Sequence, residues 1–260
     1  MLNPIIGQNF TCVYGKEIIM NTLSVLNVNI NKSYIIYDQI PKIGEQTKIT
    51  FMLKKFLYYL AQKSALFDQK NILDLLEKNP KAKLLDLGCG DGSWTKRVAQ
   101  KIGTNNITGV DIITYPNTIK LNLNKKFPFP TNTFDVISAN QIIEHIENTD
   151  LFLSELKRVL KPNGYAIIST ENLSSWHNIF ALVMGWQPFS LDHHHPLSHL
   201  TVPIQPKHGH VKAFSYFGLI KLFQQYGFNI ASVKPAGYFS LSSLLDPIHC
   251  HRITIKVRKL

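Results

Sequence analysis

The chain has 260 residues, 45% of them hydrophobic and 17% charged, which is typical of a soluble globular protein with one substantial domain and extensions. Lysine and arginine outnumber aspartate and glutamate by 28 to 17, but these basic residues are scattered and outline no nucleic-acid footprint. No stretch reaches the roughly 20 apolar residues of a membrane span. Three cysteines without CxxC spacing favour a reducing, cytoplasmic location.

Residues 1–79 are expected to form an N-terminal arm and a helical cap. Met20 offers an alternative start to Met1, since residues 1–19 carry no strong pattern. Apolar residues recur at helical spacing between Lys48 and Lys63, which predicts a helix packed on the core, with its off-stripe aromatics closing a pocket. A basic helix lying on a membrane surface is the alternative. A second short helix is predicted from Asp68 to Glu77.

From residue 80 onward, strands and helices alternate, which predicts a parallel sheet with right-handed crossovers in a domain spanning 80–260. The predicted strands are Ala82–Leu87, Ile107–Asp111, Ile119–Leu123, Phe134–Ala139, Tyr165–Thr170, Phe228–Val233 and Cys250–Val257. The predicted helices are Ser93–Lys101, Asn148–Leu160 and Ser215–Tyr226. The last strand follows its predecessor directly, which indicates an antiparallel edge.

An insert at about 173–212 interrupts this alternation. It contains two tryptophans and seven histidines, and it is too long for a plain loop, so we expect a functional lid or a small subdomain. Trp176, Trp186 and Phe189 are candidate walls of an apolar pocket.

The stretch Leu84–Thr95, LLDLGCGDGSWT, predicts a strand that turns sharply into a helix over three glycines. The glycine spacing is one residue shorter than the dinucleotide fingerprint, and no lysine follows as in a phosphate-binding P-loop. Asp86 and Asp91 would repel a pyrophosphate but suit a cofactor with a positive centre and an ammonium group. These features favour S-adenosylmethionine.

The motifs resemble, in order, those of class I S-adenosylmethionine-dependent methyltransferases, of the methyltransferase type 11 or ubiquinone-biosynthesis-like group. They are Asp86–Gly92, Gly109–Asp111, Phe127–Phe129, Phe134–Ile137, Glu144–Ile146 and Leu160–Gly164. The resemblance implies an α/β, Rossmann-like fold with a seven-stranded, mostly parallel sheet, helices on both faces and an antiparallel last strand.

The same resemblance implies cofactor-binding roles for ten residues. They are Asp86, Gly88, Cys89, Gly90, Gly92, Asp111, Ile112, Asn122, Leu123 and Asn140. The glycine turn would hold the methionine part, with Asp86 oriented toward its ammonium. Asp111 would accept both ribose hydroxyls, and Asn122 would accept a hydrogen bond from adenine where the family has an aspartate. Asn140 would lie beside the sulfonium.

Gln141–His145 resembles a Glu-x-x-Glu-His segment that binds a divalent ion in ubiquinone-type O-methyltransferases and small-RNA 2′-O-methyltransferases. Gln141 replaces the first carboxylate of that segment, which weakens a magnesium site, so we expect no metal here. His145 and His177 are candidate catalytic bases for a hydroxyl nucleophile.

The expected activity is methyl transfer to an O, N or C atom of a small-molecule acceptor, apolar or anionic in character. The chain lacks the Asn/Asp-Pro-Pro-Tyr/Phe stretch of base amino-methylating enzymes, since Ser138–Gln141 stands there instead. An RNA 2′-O-methyltransferase and a catalytically silent cofactor-binding partner subunit remain alternatives. A nicotinamide dehydrogenase is disfavoured by the glycine spacing, and the oligomeric state is left open.

Overall fold

The computed structural model describes residues 66–185, 187–191, 210–237 and 245–259. The predicted helix Lys48–Lys63, Trp186 and five of the insert's histidines lie outside these described residues. Within them, none of the helices combines the length and the apolar character that crossing a membrane requires.

Seven strands and five α-helices make up the part of the chain that the structure describes. In chain order they are α1 (66–75), β1 (Leu84–Leu87), α2 (Ser93–Ile102), β2 (Ile107–Asp111), β3 (Ile119–Lys120), β4 (Phe134–Asn140), α3 (Thr149–Val159), β5 (Leu160–Glu171), α4 (Trp176–Val183), α5 (Tyr216–Gln225), β6 (Phe228–Ala236) and β7 (Arg252–Lys259). Two 3₁₀ turns, Ile143–His145 and Phe189–Leu191, lie between these elements.

The strands form one seven-stranded sheet in the order β3-β2-β1-β4-β5-β7-β6. The pairs β1–β2, β1–β4, β2–β3 and β4–β5 are parallel, whereas β7 pairs antiparallel with both β5 and β6. The predicted Rossmann-like sheet with an antiparallel last strand is therefore confirmed. From the point between β1 and β4, successive strands are added in opposite directions. α/β proteins of this type bind ligands at such a point.

Helices cover both faces of the sheet, as predicted. Side chains alternate along each strand, so Tyr165 and Ile167 of β5 point into one core, whereas Ala166 and Ile168 point into the other. The larger core packs α3 and α5 against the sheet, and the smaller core packs α1 and α2 against it. Residues on α1 thus belong to the domain core, ahead of the expected domain boundary at residue 80.

Strand β5 begins earlier than predicted. The residues Pro162-Asn163-Gly164 precede the predicted strand Tyr165–Thr170, but in the structure they form an irregularity within β5, between the pairs Phe134–Leu160 and Val136–Tyr165. Asn163 takes a left-handed φ of 64° there, and a Cβ on Gly164 would lie 2.9 Å from the Lys161 carbonyl. The chain bends locally at these residues, but β5 pairs with β4 on both sides of them.

The described part of the insert is held to the end of β5 by hydrogen bonds of two buried asparagines. Asn172 donates to the carbonyls of Ile248 and Cys250, each at 2.7 Å. Asn178, on α4, donates to the Asn172 carbonyl at 3.0 Å and to Ser190 Oγ at 2.7 Å. Because both amides are fully buried, they fix the start of the insert against the sheet rather than leaving it as a loose loop.

Candidate functional site

The glycine turn between β1 and α2 has a backbone that non-glycine residues rarely adopt. Gly88, Gly90 and Gly92 have φ angles of 74°, 53° and 78°. The turn is tied to the neighbouring strand, because the Gly88 and Cys89 amides donate to the Val110 carbonyl at 2.8 and 3.0 Å. The turn is therefore fixed at the carboxyl edge of β1 and β2.

The three glycines differ in the space around their Cα atoms. A Cβ on Gly88 would lie 2.0 Å from Cδ1 of Ile142, so any larger residue here would force that side chain to move. A Cβ on Gly90 or Gly92 would meet no atom of the described residues within 4 Å. The backbone at these two positions therefore borders open space, as expected where a ligand approaches the main chain closely.

Asp111 ends β2 and faces this turn. Its Oδ2 accepts a hydrogen bond from the Gly90 amide at 2.9 Å, and its Oδ1 accepts one from the Ile113 amide at 2.9 Å. A carboxylate oxygen can accept more than one hydrogen bond, so Asp111 keeps capacity for ligand hydroxyls. Ile112, beside it, leaves 54% of its surface exposed, an apolar surface at the same edge.

Asp86 and Cys89 are buried beneath the turn rather than lying open to it. Asp86 is 1% exposed and accepts a hydrogen bond from Thr95 Oγ1 at 2.5 Å. Burial raises the pKa of Asp86 to about 6 and that of the Cys89 thiol to about 11. The thiol is thus an unreactive packing group, and the expected orientation of Asp86 toward an ammonium stays a prediction.

The residues expected near adenine lie beyond β3. Asn122 accepts a hydrogen bond from the Asn124 amide at 2.9 Å through Oδ1, and so caps a local turn. Leu123 is 9% exposed and packs in the larger core. The adenine contacts expected of both residues stay predictions.

At the end of β4, Asn140 accepts a hydrogen bond from Ser169 Oγ at 2.6 Å, which joins β4 to β5. The next residue, Gln141, has a φ of 55° although it is not glycine, and its amide donates to the Ser169 carbonyl at 3.0 Å. Such backbone strain is tolerated where surrounding bonds enforce it, and it often occurs at functional sites.

Glu144 and His145, just beyond β4, form a cluster with His210, one of the histidines of the insert. One potential ligand atom from each of Glu144, His145 and His210 lies within 4.8 Å of the others. The His145 and His210 rings are 4.8 Å apart, and His210 Nδ1 lies 2.7 Å from the Ser190 carbonyl, to which it donates. His210 lies near the end of the insert, 65 residues after His145, so no local motif could have linked the two.

Glu144 is nearly fully buried in this cluster. Its Oε2 accepts a hydrogen bond from Thr170 Oγ1 at 3.0 Å, whereas Oε1 has no hydrogen-bond partner among the described residues. Burial raises the pKa of Glu144 to about 8, so this carboxyl is largely protonated at neutral pH. The three donor groups are of the types that bind divalent cations, and a cation would require Glu144 to ionise.

His177 lies in a different environment from His145. It is 7% exposed, its Nδ1 lies 2.9 Å from Ser175 Oγ, and its ring stacks on Phe189 with centroids 5.7 Å apart. Burial lowers the pKa of His177 to about 3, so the ring is neutral. Its predicted catalytic role stays a prediction, and the structure does not bring it into the His145 cluster.

Among the described residues, Trp176 and Phe189 have different neighbours. Trp176 is 57% exposed and donates from Nε1 to Asp246 Oδ2 at 2.7 Å, and Phe189 packs on His177. Trp186 lies outside the residues described.

Comparisons with known proteins agree with this geometry. A family model described as "Methyltransferase domain" matches residues 58–233. The ubiquinone biosynthesis O-methyltransferase of Rickettsia typhi is 32% identical over 126 residues, which cover 42% of this chain and 50% of that protein. The chain spans about half the length of the curated relatives that it matches.

Solved structures support the fold. An S-adenosylmethionine-dependent methyltransferase from Mesorhizobium loti has a TM-score of 0.53 at 14% identity, covering 73% of this chain and 96% of that chain. The [4+2]-cyclase SpnF has a TM-score of 0.50 at 15% identity, covering 74% and 79%. Since one of these similar structures is a cyclase, the fold alone does not set the reaction.

A substitution pair separates the packing role of Gly88 from the open position of Gly90. Both Gly88→Ala and Gly90→Ala pay the strain of a positive φ, about 1 kcal/mol, but only Gly88→Ala forces a clash with Ile142. We expect Gly88→Ala to lower the free energy of unfolding by about 1–3 kcal/mol more than Gly90→Ala does, measured by denaturant titration. Equal losses would show that Ile142 moves aside freely.

Glu144 should make stability depend on pH. Its folded pKa is raised to about 8 from an ordinary value of 4.5, so the folded state binds more protons between these pH values. The free energy of unfolding should therefore receive the full contribution of Glu144 below about pH 4.5 and lose it as pH rises through about 8. Glu144→Gln should gain stability relative to the parent protein over this interval in denaturant titrations at several pH values. A pH-independent difference between the two proteins would contradict the assignment.

Proposed function

This chain belongs to the methyltransferase domain family, within the class I S-adenosylmethionine-dependent methyltransferases, and from that premise we propose that it methylates a small-molecule acceptor. The observation that supports this most directly is the bond between Gly90 and Asp111 beside open glycine backbone. It places a carboxylate with remaining acceptor capacity at the edge where this fold binds ligands.

The residues present fit S-adenosylmethionine. The open backbone at Gly90 and Gly92 would receive the methionine part, Asp111 the ribose hydroxyls, and the exposed side chain of Ile112 an adenine face. When bound, this cofactor supplies an electrophilic methyl group on a positively charged sulfur.

We also propose cofactor contacts for the other residues that the sequence predicts at this site. They are Asp86, Gly88, Cys89, Asn122, Leu123 and Asn140. Asp86 and Cys89 would act from beneath the turn, as parts of its support, because both are buried. Asn140 would act from the end of β4, where Ser169 fixes its amide group.

The protein's own part in the reaction is to align the acceptor and to manage its proton. We propose that a ring nitrogen of His145 holds the proton that an O–H or N–H acceptor gives up. His145 is half-buried, and its ring lies edge-on to the ring of His210 with the centroids 4.8 Å apart. His177, buried and neutral, is the less favoured base.

We propose that the methyl group is transferred to an O, N or C atom of the acceptor and that the protein is located in the cytoplasm. The location is supported by the low number of cysteines in the chain and by the buried, free thiol of Cys89. The similarity to a ubiquinone biosynthesis O-methyltransferase supports a small acceptor rather than a polymer.

Calorimetric titration with S-adenosylhomocysteine tests cofactor binding. Asp111→Ala should weaken binding by about 10-fold or more, since it removes hydrogen bonds to a charged acceptor. Asp111→Asn, which keeps one acceptor oxygen, should lose less. Equal affinity in all three proteins would contradict the role of Asp111.

Incubation with methyl-labelled S-adenosylmethionine and a metabolite extract tests the reaction itself. We expect label in a small organic molecule. Label in RNA would favour an RNA methyltransferase instead, and cofactor binding without any labelled product would favour a silent partner subunit.

His145→Ala should keep cofactor affinity but reduce methyl transfer by about 100-fold, as loss of a proton acceptor usually does. His249→Ala is the matched control, because His249 pairs with Asp246 at 2.9 Å in a part-exposed position. Unchanged turnover in His145→Ala would exclude it as the base.

A further inference from the structure

Glu171 occupies a position that neither the motifs nor the family comparisons assign. It is the last residue of β5, two residues beyond Ser169, which pairs with Asn140 of β4. Its carboxylate therefore lies at the same edge of the sheet as the proposed cofactor site, one strand further along. Ligands of α/β sheets bind at this edge.

Three nitrogen-bearing side chains lie around the Glu171 carboxylate at ion-pair distance but do not hydrogen-bond to it. Its Oε1 lies 3.9 Å from both His251 Nε2 and Arg252 Nη2, and its Oε2 lies 4.0 Å from His210 Nδ1. Each distance is too long for a hydrogen bond. By contrast, Asp135 contacts Lys161 at 2.8 Å. Glu171 thus has close polar neighbours but keeps its acceptor capacity.

Two of these neighbours have other partners. His210 Nδ1 donates to the Ser190 carbonyl at 2.7 Å, and Arg252 Nη1 lies 3.8 Å from Asp68 Oδ2. Burial lowers the pKa of the third, His251, well below its usual value, so this ring is neutral. The positive charge of Arg252 is therefore shared between Asp68 and Glu171, and none of the three neighbours donates a hydrogen bond to the Glu171 carboxylate.

Polar atoms that lack hydrogen-bond partners among the described residues lie near Glu171. Within the described residues, Arg252 Nε, Asp68 Oδ2 and Glu144 Oε1 are buried and lack hydrogen-bond partners. Glu144 is linked to Thr170, the residue before Glu171. Buried polar groups without partners are uncommon in folded proteins, and they occur together where a polar ligand or water is bound. Glu171 keeps 18% of its side chain exposed beside them.

We propose that Glu171 binds the acceptor, by accepting a hydrogen bond from a hydroxyl or amino group that the acceptor carries. This inference rests on the proposed methyltransferase function and narrows it to acceptors that bring a hydrogen-bond donor to the end of β5. The alternative is that Glu171 only balances the charge of Arg252.

The test uses two fragment pairs that differ in their donor group, phenol with anisole and benzylamine with benzyltrimethylammonium. Binding is measured by saturation-transfer NMR on the full chain with S-adenosylhomocysteine present. The parent protein should bind at least one donor-bearing fragment about 10-fold more tightly than its donor-free partner. Glu171→Ala should remove that preference and leave the donor-free fragments unchanged.

Glu171→Gln keeps the size of the side chain and one acceptor oxygen, so it should retain part of the preference for donor-bearing fragments. It replaces Glu171→Ala as the test variant if Glu171→Ala does not fold. Glu147→Ala is the matched control, since Glu147 is an exposed acid whose backbone carbonyl accepts a hydrogen bond from Lys212 Nζ at 2.8 Å. It should behave as the parent protein does.

The outcomes separate this inference from the function on which it rests. Failure of the parent protein to bind S-adenosylhomocysteine would overturn the proposed function. Normal cofactor binding would overturn only the role of Glu171 if no fragment binds, if the parent protein shows no preference for donors, or if Glu171→Ala keeps that preference.

Discussion

The candidate site depends on the parallel pairing of β1 with β2 on one side and β4 on the other. This pairing brings three carboxyl ends to one edge, so that Gly90 can donate to Asp111 across 21 residues of sequence. The positive φ angles of the glycines follow from this constraint, because the chain must leave β1 and enter α2 within five residues. Without the pairing, the glycine turn would be an ordinary flexible loop.

The carboxyl groups along this edge differ in their burial, and the difference separates their roles. Asp86 and Glu144 are enclosed, which raises their pKa values, and each accepts a hydrogen bond from a threonine hydroxyl, of Thr95 and Thr170 respectively. Asp111 and Glu171 are only partly enclosed, so their oxygens remain available. A cationic cofactor and a donor-bearing acceptor would meet the two accessible carboxylates, one at β2 and the other at β5.

The insert contributes to the site mainly through its return to the sheet. The Val211 and Lys212 amides donate to the Glu144 carbonyl at 2.9 and 3.1 Å, which holds His210 beside His145. At its start, Asn172 and Asn178 fix α4 against the end of β5. Both ends of the insert are therefore anchored next to the proposed acceptor site, where its sequence can influence which acceptor binds.

The sequence predicts the order of strands and helices, the glycine turn and the position of Asp111 at the end of β2, because these depend on local periodicity and backbone geometry. It did not determine that the Pro162–Gly164 turn lies inside β5, since only pairing with β4 reveals it. Nor could it predict the neutral, buried state of His177 or the meeting of His145, His210 and Glu171. These depend on burial and on contacts between distant segments, which only the tertiary structure decides.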